Sequence, residues 1–228
     1  GAHPRQLMFH RRTAIMTLAA APLLALVLNS AAIAQAPRRM ARVFLLHPIV
    51  LVQLDEVRAE LKLTDEQAKT AEELRRTLAE ERGAIWAEAN NDWDYVREEM
   101  TKLNADLGEQ FDAVLDDAQR KRCREIYVQI NGALALHDPA VVEQLKLDDD
   151  QRQRLEAEII DNRNRWMESF GNWQSMSDEE RVAKTDELIA ARDMALLAVL
   201  SDEQRAALKA MEGAPLEVDL DKLPRPGL

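Results

Sequence analysis

Seven apolar residues set the clearest rhythm in the chain. Trp93, Val96, Met100, Leu103, Leu107, Phe111 and Val114 follow one another at steps of 3, 4, 3, 4, 4 and 3. That spacing keeps them on one helix face, which must bury against another element. A second stripe, Ala71, Leu74, Leu78 and Ile85, predicts a helix over about 65–90, and the polar run Asn90-Asn91-Asp92 separates the two. Further on, "SDEE" at 177–180 opens a helix carrying Leu188, Ile189, Met194, Leu196 and Leu197. The β-branched clusters that mark strands are nearly absent, while Ala, Leu, Glu, Asp, Arg and Gln supply the bulk. The expected fold class is all-α.

One short polar phrase punctuates this pattern four times. Leu63-Thr64-Asp65-Glu66-Gln67 is followed by "LDDAQ" at 115–119, "LDDDQ" at 147–151 and "LSDEQ" at 200–204. Thr64 with Gln67 is a capping box. The hydroxyl accepts from the backbone N–H three residues on, and the glutamine side chain reaches back to the cap N–H. Asp116 with Gln119, Asp148 with Gln151, and Ser201 with Gln204 repeat that grammar, and acids in the first turn suit the helix dipole. Leu63, Leu115, Leu147 and Leu200 precede the caps and can pack over the first turn. The fourth helical position is not the apolar residue a hydrophobic staple wants, being Ala68, Arg120, Arg152 and Arg205. Each phrase therefore starts a helix.

The positions of the phrases reveal a duplication. Leu63 to Leu147 spans 84 residues and Leu115 to Leu200 spans 85, while the phrases within a unit lie 52 and 53 apart. His47-Pro48 and Asp138-Pro139 open short lead helices, each with a cap followed by proline at the first helical position. The expected plan is two tandem units of short, long, long and short helices, at 47–133 and 137–212. Gly213, Pro215, Pro224 and Pro226 mark 213–228 as an extended, loosely attached tail.

Residues 1–34 read as an upstream extension and a cleavable signal peptide, with 35–46 as linker. Arg11 and Arg12 precede the apolar run 13–28, and Ala32 and Ala34 offer a cleavage site. A retained anchor is the competing reading, although the run is shorter than the roughly 20 residues a spanning helix needs. The expected destination is the periplasm or the exterior, with no membrane insertion after cleavage. Losing the leader removes Arg5, Arg11 and Arg12 and no acid, leaving 27 basic against 41 acidic residues, a net of −14. That charge argues against nucleic acid as a partner. Cys123 is the only cysteine, so no intrachain disulfide forms, and burial on a helix face is its expected fate.

The paired L-T-x-x-Q phrases behind a signal segment resemble the LTXXQ-motif family, which includes the periplasmic chaperone Spy and the envelope-stress regulator CpxP. Only "LTDEQ" matches the motif in full; the other three vary it. The resemblance covers about residues 45–211. It implies an all-helical cradle that binds proteins without ATP, needs no cofactor and acts on unfolded clients or on one dedicated partner. Relatives usually carry two phrases and pair as antiparallel dimers. Four phrases in one chain would bring both units together, and a homodimer stays open. Relatives also present basic rims, whereas this chain is acidic.

Catalytic chemistry finds little footing. No nucleophile elbow, metalloprotease helix, phosphate loop or C-x-x-C pair is present. Relatives associated with zinc resistance make metal buffering a third class, but His47, Cys123 and His137 do not supply four ligands in one local motif. The aromatic residues admit two readings. Seven-residue spacing places Trp86 with Trp93, and Trp166 with Trp173, on shared helix faces that fill the core. Alternatively, these four with Met100, Met167 and Phe170 line an open surface for partners, which mobile Met and aromatic side chains suit.

Overall fold

A computed structural model describes residues 43–223. The expected signal peptide and cleavage site, and the last residues of the tail, lie outside the described residues. Among the described residues there is no strand, and nine α-helices follow one another. They are α1 (Pro48–Leu51), α2 (Asp55–Leu61), α3 (Asp65–Glu88), α4 (Trp93–Val114), α5 (Asp117–Asn131), α6 (Pro139–Gln144), α7 (Asp149–Phe170), α8 (Asp178–Ala198) and α9 (Asp202–Ala210). The fold is all-α, and two hairpins of long helices, α3–α4 and α7–α8, stand on short helices before and after them.

All four phrases form capping boxes, and Ser177 with Glu180 forms a fifth. The residues seven beyond the four caps, Ala71, Cys123, Leu155 and Leu208, are buried. His47 and Asp138 also cap as expected, but they are not equivalent. Asp138 caps α6, whose counterpart 84 residues earlier is α2, capped by Leu54 without a side-chain bond. At the same offset α1 falls on the 3-10 turn Gly132–His137 of unit 2, so the first lead element is α-helical only in unit 1. Both α2 and α6 end in a left-handed lysine, Lys62 at φ 51° and Lys146 at φ 52°.

The seam on α4 buries Val96, Leu107 and Phe111, while Val114 at its base stays exposed. Two cores result. One holds Val57, Leu74, Leu107, Phe111 and Ile126, the other Val141, Leu155, Leu196 and Leu208. Helix α5 belongs to both. Its Ile126 faces the first core, Tyr127 and Val128 face the second, and Ile130 packs against each. A 3-10 turn at 132–137 follows, entered through Gly132 at φ 54°, and wedges Ala133, Leu134, Ala135 and Leu136 between α5, α6 and α8.

Residues 213–219 of the tail are extended, a 3-10 turn follows at Leu220–Lys222, and this stretch docks on the molecule. Leu216, Val218, Leu220 and Leu223 pack against the first core, and Lys222 pairs with Glu56 at 2.7 Å. Proline and glycine stop a helix without stopping apolar side chains from docking, so composition alone could not separate a docked tail from a loose one.

Candidate functional site

The glutamines of the phrases do more than cap. Gln67 Nε2 donates to Gln119 Oε1 at 2.8 Å, and Gln119 Nε2 donates back to Gln67 Oε1 at 3.1 Å. The second N–H of Gln67 goes to the Val114 carbonyl, and that of Gln119 to the Leu61 carbonyl. Each oxygen also accepts its own cap N–H, from Thr64 or Asp116. Every donor and acceptor of both carboxamides is used. Unit 2 repeats the clasp. Gln151 and Gln204 exchange bonds of 2.6 and 3.0 Å, and reach the Val199 and Leu145 carbonyls. Thus the phrases meet in pairs, 52 and 53 residues apart, at the base of each hairpin.

The arginines after two caps finish the same joints. Arg120 donates to the Asp112 and Leu115 carbonyls and pairs with Asp117, while Arg205 donates to the Leu197 and Leu200 carbonyls and pairs with Asp202. Arg152 reaches the Leu147 carbonyl. An arginine where a staple residue would sit therefore ties its own helix start to main-chain carbonyls of the preceding segment, adding to the backbone bonds that Asp112 and Leu197 already accept.

The aromatic residues sit at the opposite ends, on the hairpin tips. Trp86 lies on α3 and Trp93 opens α4, so the pair spans a turn and does not share a helix face. Asn90 at φ 45° and Asn91 at φ 69° break the helix between them. The two rings meet edge to face at 5.2 Å, with Trp86 45% exposed. In unit 2 the helix stops at Phe170, and Trp173 starts a 3-10 turn. Phe170 lies 6.4 Å from Trp166 and 5.5 Å from Trp173, which is buried. The structure thus divides the predicted contact residues. Trp173 is core, Trp93, Met100, Trp166 and Phe170 are half-buried, and Trp86 and Met167 are exposed, as is Met194 at 72%. A seven-residue interval fits two helical turns or a short hairpin turn equally well, and the asparagines were the available signal.

Three titratable groups of the interior, His47, His137 and Cys123, are held neutral. His47 Nε2–H donates to the Asn104 carbonyl at 3.0 Å, while Nδ1 accepts the Ile49 N–H at 3.3 Å. Only the neutral ring can do both, and burial lowers its pKa. Burial, helped by Arg192, takes His137 down to about 4, and its Nε2 is enclosed without a partner. Burial pushes the Cys123 thiol up to about 12, so it packs and does not react.

Among the described residues, no three His, Cys, Asp or Glu converge as metal ligands, and no helix is long and apolar enough to cross a membrane. A cavity of about 400 Å³ lies wide open along α7, lined by Asp150, Gln153, Arg154 and Ala157.

Compared with known proteins, the chain matches no family model, no curated sequence and no solved structure.

Proposed function

We propose that this is an exported, non-enzymatic protein-binding module of the LTXXQ type, holding apolar segments of other proteins without ATP in the periplasm or outside the cell. The observation that carries the reading is the set of large apolar side chains in solvent, Trp86, Met167 and Met194, on long helices whose bases are clasped. A rigid base with adaptable apolar side chains exposed on the helices it holds suits varied partners. The paired glutamines add support, because they give the repeated phrase one architectural task in both units.

The test is light scattering of several unrelated aggregating proteins, with leaderless protein and no nucleotide. Delayed aggregation of many clients supports the reading. Loss of that effect in Trp86→Ala with Met167→Ser supports the tips as contact points. Capture of one partner with no general holding would make it a dedicated interaction protein, and no effect on any protein would defeat the proposal.

A further inference from the structure

Helix α5 reads the main chain of other segments with side-chain amides, and it does so twice. Asn131 Oδ1 accepts the Leu46 N–H at 2.7 Å, and its Nδ2 donates to the Leu46 carbonyl at 3.0 Å. Two residues earlier, Gln129 treats Leu216 in the same way, donating to its carbonyl at 2.8 Å and accepting its N–H at 3.2 Å. The two clamps differ in burial. Asn131 is buried and also donates to the Tyr127 carbonyl, so its clamp is part of the interior. Gln129 lies at the margin, and the segment that it holds is half in solvent.

That segment leaves α9 through Gly213, at φ 62°, where a Cβ would stand 2.2 Å from Glu125 Oε2. It then crosses α5 in extended form over 214–219 and closes in a 3-10 turn at Leu220–Lys222. Leu216, Val218, Leu220 and Leu223 turn toward the first core, but none of the four is fully buried. The far end is held by the Lys222–Glu56 pair, whose side chains are 54% and 28% exposed. Ion pairs of this kind contribute little. One carboxamide, four half-buried apolar side chains and a surface ion pair make this the kind of element that opens well before the whole molecule does.

The features gripped are generic. Gln129 recognises a peptide group and not a side chain, and the core margin accepts apolar residues at alternate positions. An unfolded polypeptide offers both. We infer that the face of α2 and α5 beneath residues 214–223 is a docking groove for extended apolar segments of other proteins, occupied in the resting chain by its own tail. This inference rests on the protein-holding role proposed above and gives that role a place and a gate. A tethered occupant acts at an effective concentration on the order of millimolar, so it excludes weak competitors until it lifts.

Two measurements test it. The first uses the full chain carrying Leu216→Ser, Val218→Ser and Leu220→Ser, with a fluorescent peptide of residues 213–223 as probe. Anisotropy should show the peptide binding this variant at least about tenfold more tightly than the wild type, since the tethered competitor is gone. Adding Gln129→Ala should weaken that binding about fivefold, the worth of a net hydrogen bond or so. Equal binding to both proteins, or indifference to Gln129→Ala, overturns the inference. The second needs no variant. In wild-type hydrogen exchange, the Leu216 amide should exchange through an opening far easier than global unfolding; exchange only with global unfolding also overturns it. A wild-type dimer that the serine variant abolishes would assign the groove to a second copy and defeat the inference. If wild type and variant hold aggregating clients equally, the holding role stands and the groove is removed from it. Peptide binding without any holding of clients keeps the groove and removes the role.

Discussion

The two units agree at their bases and part company at their tips. At the base, four glutamines make the same reciprocal bonds and each reaches one main-chain carbonyl beside its partner's cap, and Arg120 and Arg205 close equivalent helix ends. At the tips, Trp86 stands exposed against Trp93, whereas Trp173 is buried beside Phe170. The carboxamide clasp must use every donor and acceptor or leave buried polar groups unpaired, so its residues are tightly constrained. An aromatic contact at a hairpin end tolerates several arrangements. The comparison separates the part of the repeat that builds the hairpin from the part left to vary.

That contrast can be broken in graded ways. The largest effect is expected from Phe111→Ala, fully buried in the first core, at about 3–5 kcal/mol. Because α5 joins both cores, urea titration should still show one transition; separate melting of the units would deny the shared interior. At the tips, Trp173→Ala should cost about 3 kcal/mol and Trp86→Ala less than about 1, read from the same titration. Similar losses would erase the difference between the tips. At the bases, Gln151 is the more buried, so Gln151→Ala should cost about 2 kcal/mol and Gln67→Ala about 1.

A separate effect comes with pH. His137 is lowered from 6.5 to about 4, so between those values the unfolded chain binds the extra proton. Its contribution is complete above about pH 6.5 and shrinks as pH falls toward 4, by at most about 1.4 kcal/mol per pH unit. Thermal melts from pH 7.5 to 5 should show the decline, and His137→Gln should flatten it. An unchanged slope would move the effect to other groups, His47 included, whose lowered pKa acts in the same direction.

The helix starts were legible because a capping box is local: cap, first-turn acids and glutamine lie within four residues. The recurrence of the phrases was legible from spacing. The docking of Gln67 onto Gln119 was not, since the 52-residue interval carries no statement about which side chains will face one another once helices pack. Arg120 and Arg205 looked like departures from a staple for the same reason, their carbonyl partners lying on the previous helix. The tryptophan intervals suggested shared helix faces because two left-handed asparagines leave only a faint mark on composition. Gly213 and Pro215 mark the end of helix in the tail, but its docking rests on Leu216, Val218 and Leu220, whose partners lie on other helices.

Helix α5 has a consequence for how such a chain can be dismantled. Ile126 turns to one interior and Tyr127 and Val128 to the other, and Leu51, from the first lead helix, also lies in the second core. Severing the polypeptide near position 134 would leave the downstream fragment without part of its own lining, and the upstream fragment with bare apolar surface. The tandem copies, once joined through this segment, have no seam left along which to come apart.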